Sequence, residues 1–226
     1  MEERQRFQGR IAGVGSTSGV RVVLGWWHQS PFGVFADAMV ERPDGHRILL
    51  APSHQVADFV SATYVFDEVR IEPMDIGAGW ADVDVVPEGE QPSERAMWDG
   101  LSSSGATWQV RSPSLHLELT VGERTGVGRL LRLVPRRLAT SPLWSTAIDP
   151  VARVAMRGVR TRGVARAGRR EYYGAVDSHA VAAASGRLDG IPLGDLAPVD
   201  PPCSFGFSST PRRPSVTDVV TTIIDT

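Results

Sequence analysis

Strand-like runs separated by turn residues, packed one after another between Val20 and Ile71, constrain this chain more than any other feature. Val20-Arg21-Val22-Val23-Leu24-Gly25-Trp26-Trp27 is rich in β-branched and aromatic side chains, which suit a pleated surface. After Pro31, the run Phe32 to Glu41 puts Phe32, Val34, Ala36, Ala38 and Val40 on one face. The other face carries Phe35 and Met39 together with Asp37 and Glu41, so one side reads as core and the other as mixed. Arg42-Pro43-Asp44-Gly45 is a turn: Pro43 presets φ, Asp44 bonds nearby backbone, and Gly45 tolerates positive φ. His46 to Ala51 returns as the partner strand. Ser53 then caps a short helix whose Val56, Phe59, Val60 and Thr63 share a face, and Val65 to Ile71 is a strand again.

The same pattern recurs downstream. Leu115, Leu117, Leu119 and Val121 alternate with Ser114, His116, Glu118 and Thr120. Val159 to Arg166 and Arg169 to Ala184 read as paired strands about Ala167-Gly168, and Asp189-Gly190 is a further turn. Cys203 to Phe207 and Val216 to Ile224 are expected as the last strands. The final one belongs inside a sheet, because so apolar an edge would aggregate. Gly126 to Met156 is the helical region, cut by Pro135 and Pro142. Short strands with few helices predict a mainly β fold: a single antiparallel β-barrel-like domain over residues 1–226, with one or two short helices. The alternative is a two-layer α+β arrangement. Residues 77–105, with Pro87-Glu88-Gly89-Glu90-Gln91-Pro92 and Ser102-Ser103-Ser104-Gly105, are expected to form an irregular loop or lid.

Composition removes several kinds of chemistry. All 24 Lys and Arg residues are arginine, so neither a Schiff-base lysine nor a P-loop lysine exists. Gly13-Val14-Gly15-Ser16-Thr17-Ser18-Gly19 has the wrong glycine spacing for a phosphate loop and precedes a strand, not a helix. Cys203 is alone, no apolar stretch follows Met1-Glu2-Glu3-Arg4, and no run is long enough for a membrane span. A cytoplasmic protein without a transmembrane segment is the expectation. The five histidines show no metal-ligand spacing, so no metal and no cofactor are expected.

The net charge of −2 conceals an asymmetry. Between Asp37 and Asp99 there are fourteen acids against four arginines, whereas between Arg124 and Arg170 twelve arginines face one acid, Asp149. The two halves can face each other within the fold, pair between copies in a homo-oligomer, or present an anion-binding surface. A basic amphipathic segment such as 126–156 ordinarily packs on a sheet with its arginines snorkelling outward, and otherwise lies on a membrane surface. No nucleic-acid motif is present, and Tyr172 and Tyr173 fall just outside the arginine run, so no nucleic-acid partner is expected.

The strongest polar constellation is Glu171-Tyr172-Tyr173-Gly174-Ala175-Val176-Asp177-Ser178-His179. In an extended conformation Glu171, Tyr173, Asp177 and His179 point to one face and form a candidate proton-transfer set. Trp26, Trp27 and His116 are candidate cavity walls, and Arg160 and Arg162 are candidate anion holders. The β-meander followed by a short helix resembles the calycin barrels, which implies binding of small apolar molecules. It is also similar to acetoacetate-decarboxylase-type barrels, although the absence of lysine excludes Schiff-base chemistry. The expectation is therefore a small, partly apolar, anionic ligand bound in a β-barrel cavity. An enzyme using general acid–base chemistry in that cavity and a structural or interaction module are the alternatives.

Overall fold

The computed structural model describes residues 3–80, 104–141, 143–146, 148–149, 159–164, 170–206 and 209–225. Its strands are β1 (Glu3–Ser16), β2 (Arg21–Gln29), β3 (Phe35–Glu41), β4 (Arg47–Ala51), β5 (Glu68–Ile71), β6 (Asp75–Trp80) and β7 (Ala106–Arg111). They continue as β8 (Leu115–Arg124), β9 (Arg162–Val164), β10 (Arg170–Leu188), β11 (Ile191–Pro192), β12 (Leu196–Ala197) and β13 (Ser215–Asp225). The helices used below are α1 (His54–Ser61), α2 (Gly126–Leu131) and α3 (Arg136–Ala139). No helix among the described residues is long and apolar enough to cross a membrane.

Ten strands run side by side in the order β5-β4-β3-β2-β1-β13-β10-β8-β7-β6, forming a curled half-barrel, as the strand pattern predicts. The expected Arg-Pro-Asp-Gly turn joins β3 to β4: Gly45 has φ of 85°, and the His46 amide donates to Asp44 Oδ1 at 3.0 Å. Asp189 and Gly190 both have positive φ, at 51° and 78°, matching the twist of a tight hairpin. β4 and β5 pair in parallel, because α1 carries the chain over before the return. The Val- and Ile-rich β13 is central, laddered to β1 on one side and β10 on the other.

β5 and β6 are the two ends of this order, and Glu72 to Met74 bridges them. Side chains tie β5 and the residue after it to the turns that follow β7 and β10. Glu72 accepts from the Ser112 hydroxyl at 2.7 Å and the Ser114 hydroxyl at 2.8 Å, while Arg70 reaches Ser114 Oγ at 2.9 Å and Asp189 Oδ1 at 2.6 Å.

Leu24, Ala38, Leu50, Trp108, Leu117 and Val216 belong to one buried cluster. Strands so far apart in the sheet order meet only across its concave side. Trp26 and Trp108 touch edge to face there, with ring centroids 5.1 Å apart. The convex side around β1 to β3 is covered as well. Phe7, Phe35, Leu49 and Ile223 pack against Val56 of α1, and Val23 packs against Val199, Cys203 and Phe205 of the segment that precedes β13. Burial on both faces explains why β2 reads as a nearly continuous apolar run.

Three expectations change. Phe32 and Val34 lie before β3, in a turn with Gly33 at φ of 80°, and Val34 is exposed. Cys203 to Phe205 is not a strand. It lies over the convex side, with the Ser204 amide and hydroxyl donating to Glu41 at 2.7 and 3.0 Å in place of a ladder. Within the expected loop, residues 77–80 belong to β6, and residues 81–103 lie outside the described residues. The expected Ala167-Gly168 turn also falls on residues outside the description.

Candidate functional site

The concave side, where a barrel-mouth ligand was expected, is filled with side chains. The space found there, between Val14, Val22, Leu117 and Leu193, is about 10 Å³, room for about one water. A larger cavity, about 70 Å³, lies on the convex side between α1 and the sheet. It admits roughly five water-sized groups. Local sequence places its walls. Ser53 accepts from the Val56 amide and starts α1, and the helix then turns Phe59 and Val60 down onto Phe7 and Ile223. Phe7 meets Phe59 at 5.0 Å and Trp27 at 5.7 Å between ring centroids.

Two acids enter this apolar space. Asp37 projects from β3 and is 6% exposed. Trp27, diagonal to it on β2, donates its indole N–H to Asp37 Oδ1 at 2.9 Å, and among the described residues it is the one hydrogen-bond donor to this carboxyl. Desolvation pushes the Asp37 carboxyl up from 3.8 to about 7, against the lowering effect of the Trp27 bond. Gly25 lies directly opposite Asp37 in the ladder. A Cβ on Gly25 would sit 2.5 Å from Asp37 Oδ1 and 2.7 Å from Trp27 Nε1, so the bond requires glycine there.

Glu171, on β10, is the second acid and is 3% exposed. Thr63 donates to its Oε1 at 2.7 Å and the Tyr173 hydroxyl to its Oε2 at 2.9 Å. The Tyr64 hydroxyl contacts that of Tyr173 in turn. Burial first, and the negative Glu171 second, hold both phenols well above the ordinary tyrosine range, so they remain proton donors. The hydroxyl of Thr221, which pairs across β13 with Phe7 and Tyr173, is buried in the lining with no hydrogen-bond partner among the described residues. The site is thus an apolar pocket with a carboxyl titrating near neutrality, a Tyr–Tyr–Glu hydrogen-bond chain and a spare hydroxyl.

The four residues expected on one face of β10 are divided. Tyr173 pairs with Thr221 and Ala175 with Val219, but Asp177 pairs with Asp218, which leaves Val176 as an extra residue. One inserted residue reverses the alternation. Glu171 and Tyr173 therefore face the pocket, whereas Asp177 and His179 turn to the other side. There Arg124 Nε holds Asp177 at 2.9 and 3.1 Å, and Arg132 approaches it at 3.9 Å. His179 is buried, its Nδ1 lacks a hydrogen-bond partner among the described residues, and desolvation lowers its pKa. Of the other candidates, Trp27 lines the pocket, while Trp26 is in the concave core. His116 is on the exposed face of β8. Arg160 is absent from the lining. Arg162 pairs through its backbone with Tyr172, and its side chain lies outside the described residues. The Cys203 thiol is buried, and desolvation pushes it up to about 11, which keeps it a protonated, unreactive thiol.

Asp37, Thr63, Tyr64 and Thr221 were not among the sequence candidates. A signal for Asp37 was present, since an acid interrupts the Phe35, Met39 face of an otherwise apolar strand. Tyr64 and Thr63 carried none, because they come from the chain just after α1 and meet Glu171 and Tyr173 only in the folded sheet. A scan of protein-family models, a search of curated proteins and a search of solved structures each find no match to this chain.

Proposed function

We propose that the protein binds a small, largely apolar molecule bearing a hydrogen-bond donor, in the convex pocket beneath α1. The observation that carries this is the lining: aromatic and aliphatic walls into which the Asp37 carboxyl and the Thr221 hydroxyl project with acceptor capacity unused. The pocket's ionisable groups are carboxyls and phenols, and no arginine lines it. A neutral or cationic polar group, such as an amine or hydroxyl, therefore suits it better than the anionic ligand suggested by the arginine count. Native mass spectrometry of freshly purified protein tests for a carried molecule, as a mass excess lost on denaturation. Thermal shift with small aromatic and aliphatic amines, alcohols and carboxylates tests the polarity. Amines or alcohols should raise Tm and carboxylates should not, and Asp37→Asn and Tyr173→Phe should weaken the effect. Equal stabilisation by carboxylates, unaffected by Asp37→Asn, sinks this reading.

One observation favours an enzymatic reading of the same pocket. A carboxyl pushed up to about 7 is matched to general acid–base work at neutral pH. In that reading Asp37 exchanges a proton with the bound molecule, and the Tyr64–Tyr173–Glu171 chain orients it. Turnover of a substrate found by the mass measurement should then follow an apparent pKa near 7 that Asp37→Asn removes.

A further inference from the structure

The convex pocket leaves one conspicuous surface unexplained. α2 and α3 lie against the same strand, β10. Gly128 is so close to the Ser178 carbonyl that an added Cβ would sit 2.2 Å from its oxygen, and a Cβ on Gly174 would meet the Ala139 carbonyl at 2.7 Å. Their inner sides are therefore fixed. At 100° per residue, Leu130 and Leu133 point away from Gly128, and the Leu133 amide, donating to Leu130 at 3.1 Å, keeps the turn going past the end of α2. Leu130, Leu133, Leu138 and Leu143 are 66, 79, 45 and 84% exposed. Single exposed leucines are ordinary, but four in so short a stretch are not. Arg129, Arg132, Arg136 and Arg137 lie among them, all exposed, and no acid occurs between Thr125 and Ile148.

Charge and chemistry together select the partner. The arginines call for an anionic surface, and the leucines call for an apolar phase directly behind it. A second copy is a poorer match: Asp67, Glu68 and Glu41 of its acidic half are already paired with Arg47, Arg70 and Arg21 at 2.7 to 2.9 Å, and an acidic face would offer the leucines no apolar phase. A nucleic acid would take the arginines and leave the leucines in water. We infer that the outer side of the α2–α3 segment docks on membranes containing anionic phospholipid, with the leucines among the acyl chains and Arg129, Arg136 and Arg137 at the lipid phosphates.

Co-sedimentation of the full chain with vesicles tests this. One set of vesicles is phosphatidylcholine alone and the other also contains phosphatidylglycerol. Binding to the mixed vesicles should exceed binding to phosphatidylcholine by at least about tenfold at low salt and fall as salt rises. Leu130→Ser with Leu133→Ser should lower it by a further factor of about ten with Tm unchanged, since both side chains are in solvent. Arg136→Gln with Arg137→Gln should lower it too and flatten the salt dependence. Absence of binding to the mixed vesicles, or equal binding by the leucine variant, overturns the inference. So does tighter binding to single-stranded RNA that ignores the leucines, or a salt-sensitive dimer abolished by the same substitutions.

Discussion

Trp26 and Trp27 are neighbours in the chain and inhabit opposite sides of β2. Trp26 faces the concave side, where it stacks edge to face on Trp108 within the large buried hydrophobic cluster. Trp27 faces the convex side, where its N–H holds a buried carboxyl beside an open pocket. The concave side contributes stability by excluding water and leaving almost no space. The convex side gives some of that up, since it keeps two acids, two phenols and an unpartnered hydroxyl out of bulk water. Desolvated polar groups are costly, and their retention beside a cavity is what makes the convex side the candidate site.

The contrast is open to direct tests. The largest effect should come from the dry side. Trp108→Ala removes a fully buried ring and should cost about 3–5 kcal/mol in denaturant unfolding, and a loss below about 1 kcal/mol would mean that the concave core is not tightly packed. Next is the pH dependence of the wet side. The Asp37 carboxyl binds its proton more tightly folded, at about 7, than at its ordinary 3.8. Its contribution is therefore complete below about pH 4 and is lost as pH rises to about 7, a change on the order of 4 kcal/mol from this group alone. Asp37→Asn should flatten that part of the stability profile and raise stability at pH 7. An unchanged profile would show that Asp37 is not desolvated.

Gly25→Ala should follow, at about 1–3 kcal/mol, because the new methyl group meets the Asp37–Trp27 bond on the convex side only. Ligand-induced thermal shifts should vanish with it while the Trp26 environment, read by near-ultraviolet circular dichroism, stays as it was. The smallest effect should be that of His179→Gln beyond the β10 bulge. There the sign reverses: the folded histidine titrates below its ordinary value, so its contribution is present above that value and is lost as pH falls below it. The substitution should make the acid-side loss of stability shallower, so that unfolding needs a lower pH, without altering ligand response. A changed ligand response would rejoin His179 to the pocket and undo the division of β10.

Some of this was written locally. The Pro43-Asp44-Gly45 turn, the Ser53 cap and the Leu115 to Val121 alternation depend on residues within a few positions of one another, and they appear where the sequence predicts them. Glu171, Tyr173 and Trp27 were legible as candidates for the same reason, as polar or amphipathic groups on strand-forming runs, and all three line the pocket. Asp177 and His179 were misplaced because no local signal announces Val176 as a bulge. The extra residue is absorbed by pairing with β13, some forty positions away in the chain. The arginine-rich region suggested an anion site, yet Arg124 and Arg132 are engaged by Asp177, and other arginines stand outside on α2 and α3.

The sequence by itself determined most element types, the turns at Pro43-Asp44-Gly45 and Asp189-Gly190, the helix start at Ser53 and the absence of lysine chemistry, because each follows from local backbone preference or from composition. Only the tertiary structure decided which side of the sheet became a solid core and which kept a cavity. Side-chain alternation shows that a strand has two faces but not what each will meet. The curl of the sheet brought β3 and β4 against β7 and β8 on one side, and the short α1 bridged the other incompletely. That difference in covering places Asp37, Tyr64, Glu171 and Tyr173 around one space, though they come from three separate parts of the chain.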